Sequence, residues 1–329
     1  MKIELLDLLR CPVSGNKLLL TDPVYVGDKI HSGWLIAETD TNLRYKIQNF
    51  IPRFVPESNY ADNFGMQWNM FSETQLDSYS GQKISTNRFW NATKLKPEDI
   101  KGKWILDVGC GAGRFAEVAL SAGANLVALD YSSAVDACYA NLSHHPNLHL
   151  VQGDIYALPF VKDFFPIVYS LGVLQHTPDV AKSFAALPPH LQKGGLLVVD
   201  LYWIRWQTLL HTKYLLRPFT KRMNQKKLFG FLQKWIPTLL KTSQILGSVP
   251  LIGRFLKRAI PVADYTGIYP LNAEQLKEWA LLDTFDMLAP EYDNPQTINT
   301  IQKWFEKAEF INIEIFHEGH LVGRGNKSI

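Results

Sequence analysis

Between Lys103 and Ala116 the chain reads KWILDVGCGAGRFA, a stretch that leaves little freedom in what can be built around it. Trp104–Val108 is an apolar run interrupted near its tip by Asp107. Gly109, Gly111 and Gly113 follow at alternate positions, and Arg114–Leu120 reads as the start of a helix. Strand, glycine turn and helix together let a main chain pass close to a nucleotide. A dinucleotide fingerprint needs its third glycine where Arg114 stands, so that pattern is broken. Asp107 repels a pyrophosphate and suits a cationic ligand. The nucleoside these residues imply is S-adenosylmethionine, which carries an ammonium and a sulfonium and no phosphate.

A second acid supports this reading. Asp130 ends the next apolar run, NLVALD, where an acceptor-only carboxylate can bond both ribose hydroxyls. With these residues in place, the segment resembles motif I of the class I S-adenosylmethionine-dependent methyltransferases, and the following hundred residues resemble their later motifs in order. Asp154 in VQGDIYALPF resembles the acid that bonds the adenine amine, with Ile155 beside the ring. The resemblance implies cofactor contacts at Asp107, Gly109, Cys110, Gly111, Gly113, Asp130, Tyr131, Asp154, Ile155, Ser170 and Leu171.

From residue 103 the pattern alternates strand and helix, which predicts an α/β fold with a parallel sheet covered on both faces. Strands are expected at 104–108, 125–130, 148–152, 166–171 and 196–201, with helices at 113–122, 133–142 and 179–191 between them. After an interruption, a helix at 298–307 and strands at 311–316 and 321–325 complete a seven-stranded, doubly wound, Rossmann-like class I sheet with an antiparallel last strand. The family usually has glycine before the phenylalanine opening strand six; here Glu309 precedes Phe310. The expected organisation is a small unit at 1–56, a helical lead-in or lid at 57–100, and a methyltransferase domain at 101–329 with a helical insertion at 202–270.

Residues 1–56 resemble a zinc-ribbon-like domain that has lost its ligands. Zinc needs about four ligands, usually from paired Cys-x-x-Cys knuckles. Cys11 stands alone, with Ser14 where its partner belongs, so no metal is expected and Cys11 reads as a small buried hydrophobe. The other cysteines, Cys110 and Cys138, are far apart, which suggests a reducing compartment. The N-terminus mixes acids among its apolar residues and does not read as a signal peptide, so a cytoplasmic location is expected.

In the lead-in, Gln67, Trp68 and Arg88 are candidates to line the cofactor or substrate pocket. Phe64, Trp68 and Phe71 also have the spacing of a helix face packed on the core. The fourth strand ends in YSLGVLQHTPD, without the Asn/Asp/Ser-Pro-Pro-aromatic element of amino-methylating DNA enzymes. No cysteine lies there either, which disfavours RNA cytosine C-methylation. Gln175-His176-Thr177-Pro178 instead resembles the small-molecule "type 11" group. Methyl transfer to a hydroxyl needs positioning and a base, and His176 is the candidate. Near the C-terminus, WALLDTFDMLAPEYDNPQT gathers acids and amides in a stretch that reads as loop-rich, and Asp286 and Tyr292 are substrate candidates. This segment resembles one in methyltransferases encoded among bacterial surface-polysaccharide genes.

Charge is unevenly distributed. The net charge is only +3, yet no Asp or Glu lies between Asp200 and Asp264, where twelve Lys and Arg residues stand. Lys227, Lys234 and Lys241 recur every seventh residue opposite an apolar set, and Pro237 is expected to bend or break that helix. Such a basic amphipathic insertion suits an anionic partner, whether lipid headgroups of a membrane contacted through 203–260, a phosphorylated glycan or nucleic acid, or else forms a solvated cap paired with the acidic remainder of the chain. The leading expectation is a cytoplasmic, peripherally membrane-associated O-methyltransferase acting on a sugar, a glycan precursor, a lipid-linked acceptor or another small molecule. A tRNA or rRNA methyltransferase and a non-catalytic partner of the same fold are the alternatives.

Overall fold

The computed structural model describes residues 1–56, 61–204 and 212–329, without the side chains of Asp62, Asn63 and Arg254. Arg205 and Trp206 of the insertion, and Tyr60 of the lead-in, lie outside the described residues.

The strands of the central unit coincide closely with the apolar runs. They are β5 (Trp104–Val108), β6 (Asn125–Asp130), β7 (Leu148–Gln152), β8 (Phe165–Leu171) and β9 (Leu191–Leu201), followed by β10 (Phe310–Glu318) and β11 (His320–Lys327). Their order is β7-β6-β5-β8-β9-β11-β10, with β5 to β9 parallel and β11 antiparallel to both its neighbours. Successive side chains leave a strand on opposite faces. Leu106, Val108, Val127 and Leu129 accordingly join one core, while Ile105, Leu126 and Ala128 join the other. Burial on both faces explains why these strands read as continuous apolar runs.

The seven expected strands are all present, and among the described residues four more extend the sheet to eleven. Residues 1–56 form a meander, β1 (Leu18–Val26), β2 (Lys29–Ala37), β3 (Asp40–Gln48) and β4 (Ile51–Arg53), whose last strand pairs in parallel with β7. The unit expected to be separate is therefore continuous with the main sheet. Arg53 fastens the join through Gln152 at 2.8 Å and Asp136 at 2.6 Å, and Leu5, Leu9 and Ile30 share a core with Leu106 and Phe160. Cys11 is buried with its thiol 3.2 Å from the Tyr45 hydroxyl. Among the described residues no cluster of three or more His, Cys, Asp or Glu is placed to hold a metal.

The insertion is helical, with segments Thr212–Thr220, Gln225–Gly247 and Gly253–Lys257. Its long helix continues through Pro237, without the break that was one of the two expected effects of that proline. Burial of Leu228, Leu232, Ile236 and Leu240 against Ala280, Phe285 and Leu288 holds the helix together across the missing hydrogen bond. Trp203 is half-buried against the main core, whereas Trp235 is exposed. The stretch expected to be loop-rich begins inside the helix Ala273–Leu288, which an Asn272–Gln275 capping box initiates. No helix among the described residues is long and apolar enough to cross a membrane.

Candidate active site

A cavity of about 610 Å³ opens above the C-terminal ends of β5, β6, β7 and β8, within the usual size range of small-molecule sites, about 300–1,000 Å³. Its floor is the glycine turn. Gly109, Cys110 and Gly111 line it, and both glycines sit at positive φ, +90° and +54°. A Cβ on Gly109 would lie 2.3 Å from a Val173 methyl, so the turn tolerates no side chain there. The Trp68 indole lies over Gly111, 3.4 Å from where its Cβ would be. Gly113 does not line the cavity. Its Cβ would collide with Leu142 at 2.6 Å, so it serves the close approach of the helix Ala134–Leu142.

Asp130 and Tyr131 line the next wall. Asp130 accepts from the Gly111 amide at 2.9 Å and from the Ser132 amide and hydroxyl at 2.8 and 2.7 Å, which fixes the carboxylate and leaves it acceptor capacity for hydroxyls. Gly153, Ile155 and Leu171 also face the cavity, whereas Asp154 and Ser170 do not. Asp154 caps the short turn Ile155–Ala157 through the Tyr156 amide at 2.9 Å, and Ser170 donates to the Val108 carbonyl at 2.7 Å. Asp107 lies beneath the floor, buried, with one carboxylate oxygen lacking a hydrogen-bond partner. Burial pushes it up to about 8, the charge of Asp130 adds to this, and the nearby Tyr169 hydroxyl opposes it only in part. Cys110 is held far above the ordinary thiol range by its contact with Cys138 and by burial, so it is a neutral lining group.

The far wall carries residues that the sequence scatters widely. Trp279, Asp283 and Asp286, at i, i+4 and i+7 of the helix Ala273–Leu288, all line the cavity with Tyr265 and Tyr269. Tyr265 and Tyr269 stack at 4.9 Å, and Trp279 meets both edge-on. Arg114, at the place a dinucleotide site reserves for glycine, donates to Ser85 and Gln75, both at 2.9 Å, and lies over Trp279. Gln75 and the Tyr265 hydroxyl both donate to Asp283, whose carboxyl burial raises to about 6.

Two predicted residues anchor the remaining side. Arg88 donates to Asp200 at 2.8 Å and to His320 Nδ1 at 2.8 Å, and the Gly172 amide also donates to Asp200. Asp200 is completely buried; burial alone would raise it, but the charge of Arg88, with the neighbouring His320, holds it well below the usual carboxylate range. His176 lies in the turn after β8 with its ring edge-on to Phe64 at 5.2 Å and Tyr202 at 5.4 Å. Its Nδ1 is 3.1 Å from the Tyr292 carbonyl, and its Nε2 is 4.0 Å from Asp286. A carbonyl only accepts, so Nδ1 carries the proton and Nε2 keeps its lone pair. Tyr202 donates to the same Asp286 at 3.1 Å. Tyr292 itself does not line the cavity; it acts on His176 through its main chain.

Gln67 and Trp68 stand on the helix Asp62–Met70 above the turn. Phe64 faces the cavity beside them, while Phe71 packs on Phe229. Gln67 is buried with neither amide atom partnered, the mark of a polar group awaiting a ligand. The close glycine floor, fixed Asp130 and unpartnered Gln67 fit a nucleoside cofactor of the kind the turn implies.

A family profile for a methyltransferase domain matches residues 106–199, from β5 through β9. The chain carries a class I, S-adenosylmethionine-dependent methyltransferase domain. Within this domain Gly109, Gly111, Asp130, Tyr131 and Ile155 line the cavity and would hold the cofactor, which supplies an electrophilic methyl group when bound. Similar curated proteins include the tRNA U34 carboxymethyltransferases of Pseudoalteromonas translucida (strain TAC 125) and Pseudomonas savastanoi pv. phaseolicola. They are 33% and 34% identical to this chain over 117 residues. In each case the match covers 34% of this chain and 36% of the relative, so it spans about a third of either protein. Among solved structures, human N-acetylserotonin methyltransferase in complex with SAM aligns with 82% of this chain and 57% of its own, at 12% identity and a TM-score of 0.46. Phosphoethanolamine N-methyltransferase 2 of Haemonchus contortus aligns over 82% and 48%, at 15% identity and a TM-score of 0.44.

Proposed function

We propose that the protein is an S-adenosylmethionine-dependent O-methyltransferase whose acceptor is a sugar, a glycan precursor or a similar hydroxylated small molecule. The observation that carries the reading is His176. With Nδ1–H bonded to the Tyr292 carbonyl, its Nε2 is a lone-pair nitrogen on the cavity wall, 4.0 Å from the Asp286 carboxylate. A proton taken from an acceptor hydroxyl produces an imidazolium at that distance. The Asp286 carboxylate faces that nitrogen, and the Tyr202 hydroxyl donates to the same carboxylate. An amine acceptor of ordinary nucleophilicity would need positioning more than such a base. The rings of Tyr265, Tyr269 and Trp279 offer flat apolar faces, and Asp283, Asp286 and Arg88 offer polar edges, which suits a ring bearing hydroxyls.

Label transfer from S-adenosylmethionine, screened against soluble sugar nucleotides and glycans, tests this. His176→Gln should lower kcat by about 10²–10⁴ while leaving cofactor affinity unchanged. Equal turnover in the variant would remove His176 from the chemistry.

The names of the curated relatives favour a second reading, modification of tRNA. That reading predicts label in tRNA and not in sugars, with binding that weakens steeply as salt rises. Absence of transfer to either class, with cofactor binding intact, would favour a non-catalytic partner.

A further inference from the structure

The insertion has a second solvent-facing side that the site does not use. Leu228, Leu232, Ile236 and Leu240 bury one stripe of the helix Gln225–Gly247. The opposite stripe is solvent-exposed, yet it carries Phe231, Trp235 and Ile245, each 43–59% exposed. Lys227, Lys234 and Lys241 run alongside on the same exposed face. The turn that follows and the helix Gly253–Lys257 continue the pattern with Leu251, 98% exposed, and Phe255, 68% exposed. The preceding helix Thr212–Thr220 does the same with Leu215 and Phe219, 71% and 73% exposed. Large apolar groups this exposed and this concentrated are unusual on a free surface.

Charge decides among occupants. The whole segment from 201 to 263 holds no Asp or Glu. Among the described residues, three of its cations are used internally: Lys213 reaches Asp293 at 2.9 Å, Arg217 donates to the Met287 and Pro290 carbonyls, and Lys257 reaches Asp264 at 2.9 Å. Lys221, Arg222, Lys226, Lys227, Lys234 and Lys241 are exposed. A second copy would bring the same positive face and be repelled. A nucleic acid would be satisfied by the lysines and would leave Leu251 and Phe255 in water. Cations beside inserted apolar side chains, without an acid, match an anionic lipid surface.

We propose that the insertion seats the protein peripherally on an anionic membrane, with Leu215, Phe219, Phe231, Trp235, Leu251 and Phe255 entering the headgroup–acyl boundary and the lysines at the phosphates. The helix Thr212–Thr220 joins this face to the site, because its other side places Lys213 and Tyr214 in the cavity wall. Docking would therefore hold one wall of the cavity at the lipid surface.

Flotation of the intact chain tests this, with vesicles of phosphatidylcholine alone and of phosphatidylcholine mixed with phosphatidylglycerol. The protein should float with the mixed vesicles, release as salt rises, and stay behind with the neutral ones. Trp235→Glu and Leu251→Glu, both at exposed positions, should each lower the bound partition by about tenfold or more while leaving S-adenosylmethionine affinity unchanged. No flotation of the wild type overturns the proposal. So does flotation of the variants equal to wild type, or a stable dimer in sedimentation that Trp235→Glu dissolves.

Discussion

Replacing Arg88 by Met should show how strongly the lid is tied to the sheet. Arg88, on the helix Ile84–Thr93, is the cationic partner of Asp200 on β9 at 2.8 Å, and Asp200 is completely buried. Arginine can only donate, so His320 Nδ1 accepts from it and cannot replace it as a full charge. Arg88→Met thus strands a carboxylate that keeps the Gly172 amide and loses its main countercharge. Breaking a buried pair in this way costs about 3–5 kcal/mol, a large share of the roughly 5–15 kcal/mol total of a typical domain. The sign of the pH dependence follows from Asp200. In the wild type it is held below its ordinary value, so its stabilisation is complete above the unfolded value of about 3.9 and is lost only in stronger acid. Without Arg88, burial is opposed only by His320 and the Gly172 amide and raises it, so the variant's deficit should be larger near pH 7 than near pH 5, about where the carboxyl can take up a proton. Urea unfolding of wild type, Arg88→Met and Arg88→Met/Asp200→Asn at both pH values measures this, and the double variant should recover part of the loss. A deficit below about 1 kcal/mol, or one independent of pH, would place the pair among weak surface ion pairs and refute the reasoning.

Asp107 should make the cofactor-free protein less stable as pH rises from about 4 to about 8, because its folded value is raised to about 8. Asp107→Asn removes that slope, so its melting temperature relative to wild type should climb across this window; parallel curves would contradict it. Gly109→Ala should destabilise by about 1–3 kcal/mol in thermal melts, since φ is +90° and Val173 occupies the Cβ position. Glu309 sits at φ +58° on the surface after the helix Ile298–Lys307, so Glu309→Gly should stabilise by about 0.5–1 kcal/mol, and a loss of stability would refute the strain argument.

The elements most legible in the sequence are those whose side chains are buried on both faces. Trp104–Val108, Asn125–Asp130 and Leu148–Gln152 have the bounds their apolar runs imply, even though Asp107 and His149, both buried, interrupt two of them. Leu18–Val26 was not legible as a strand. Asp22 takes φ +49°, Pro23 cannot donate to the ladder, and its outer half is exposed, so no alternation survives to be read. Cofactor-side residues cluster in the sequence because one turn and two strand ends supply them. The far side of the cavity draws Arg114, Tyr202, Tyr265, His320 and the pair Trp279 and Asp283 from five stretches of the chain, and only tertiary packing brings them together. Spacing held a partial signal: Trp279, Asp283 and Asp286 share a helix face, but reading that stretch as loop concealed it. Asp107, Gly113, Asp154 and Ser170 lie behind the lining that their motif positions implied; Gly113, Asp154 and Ser170 are engaged in the turns and strand ends, and Asp107 is buried beneath the floor.

A calorimetric titration of S-adenosylmethionine into the intact chain and into Asp130→Ala bears most directly on the central claim. Saturable binding to the wild type is predicted, weakened by about 1.5–3 kcal/mol, roughly ten- to a hundredfold, when the carboxylate held by the Gly111 and Ser132 amides is removed. No saturable binding, or the same affinity in both proteins, would contradict it.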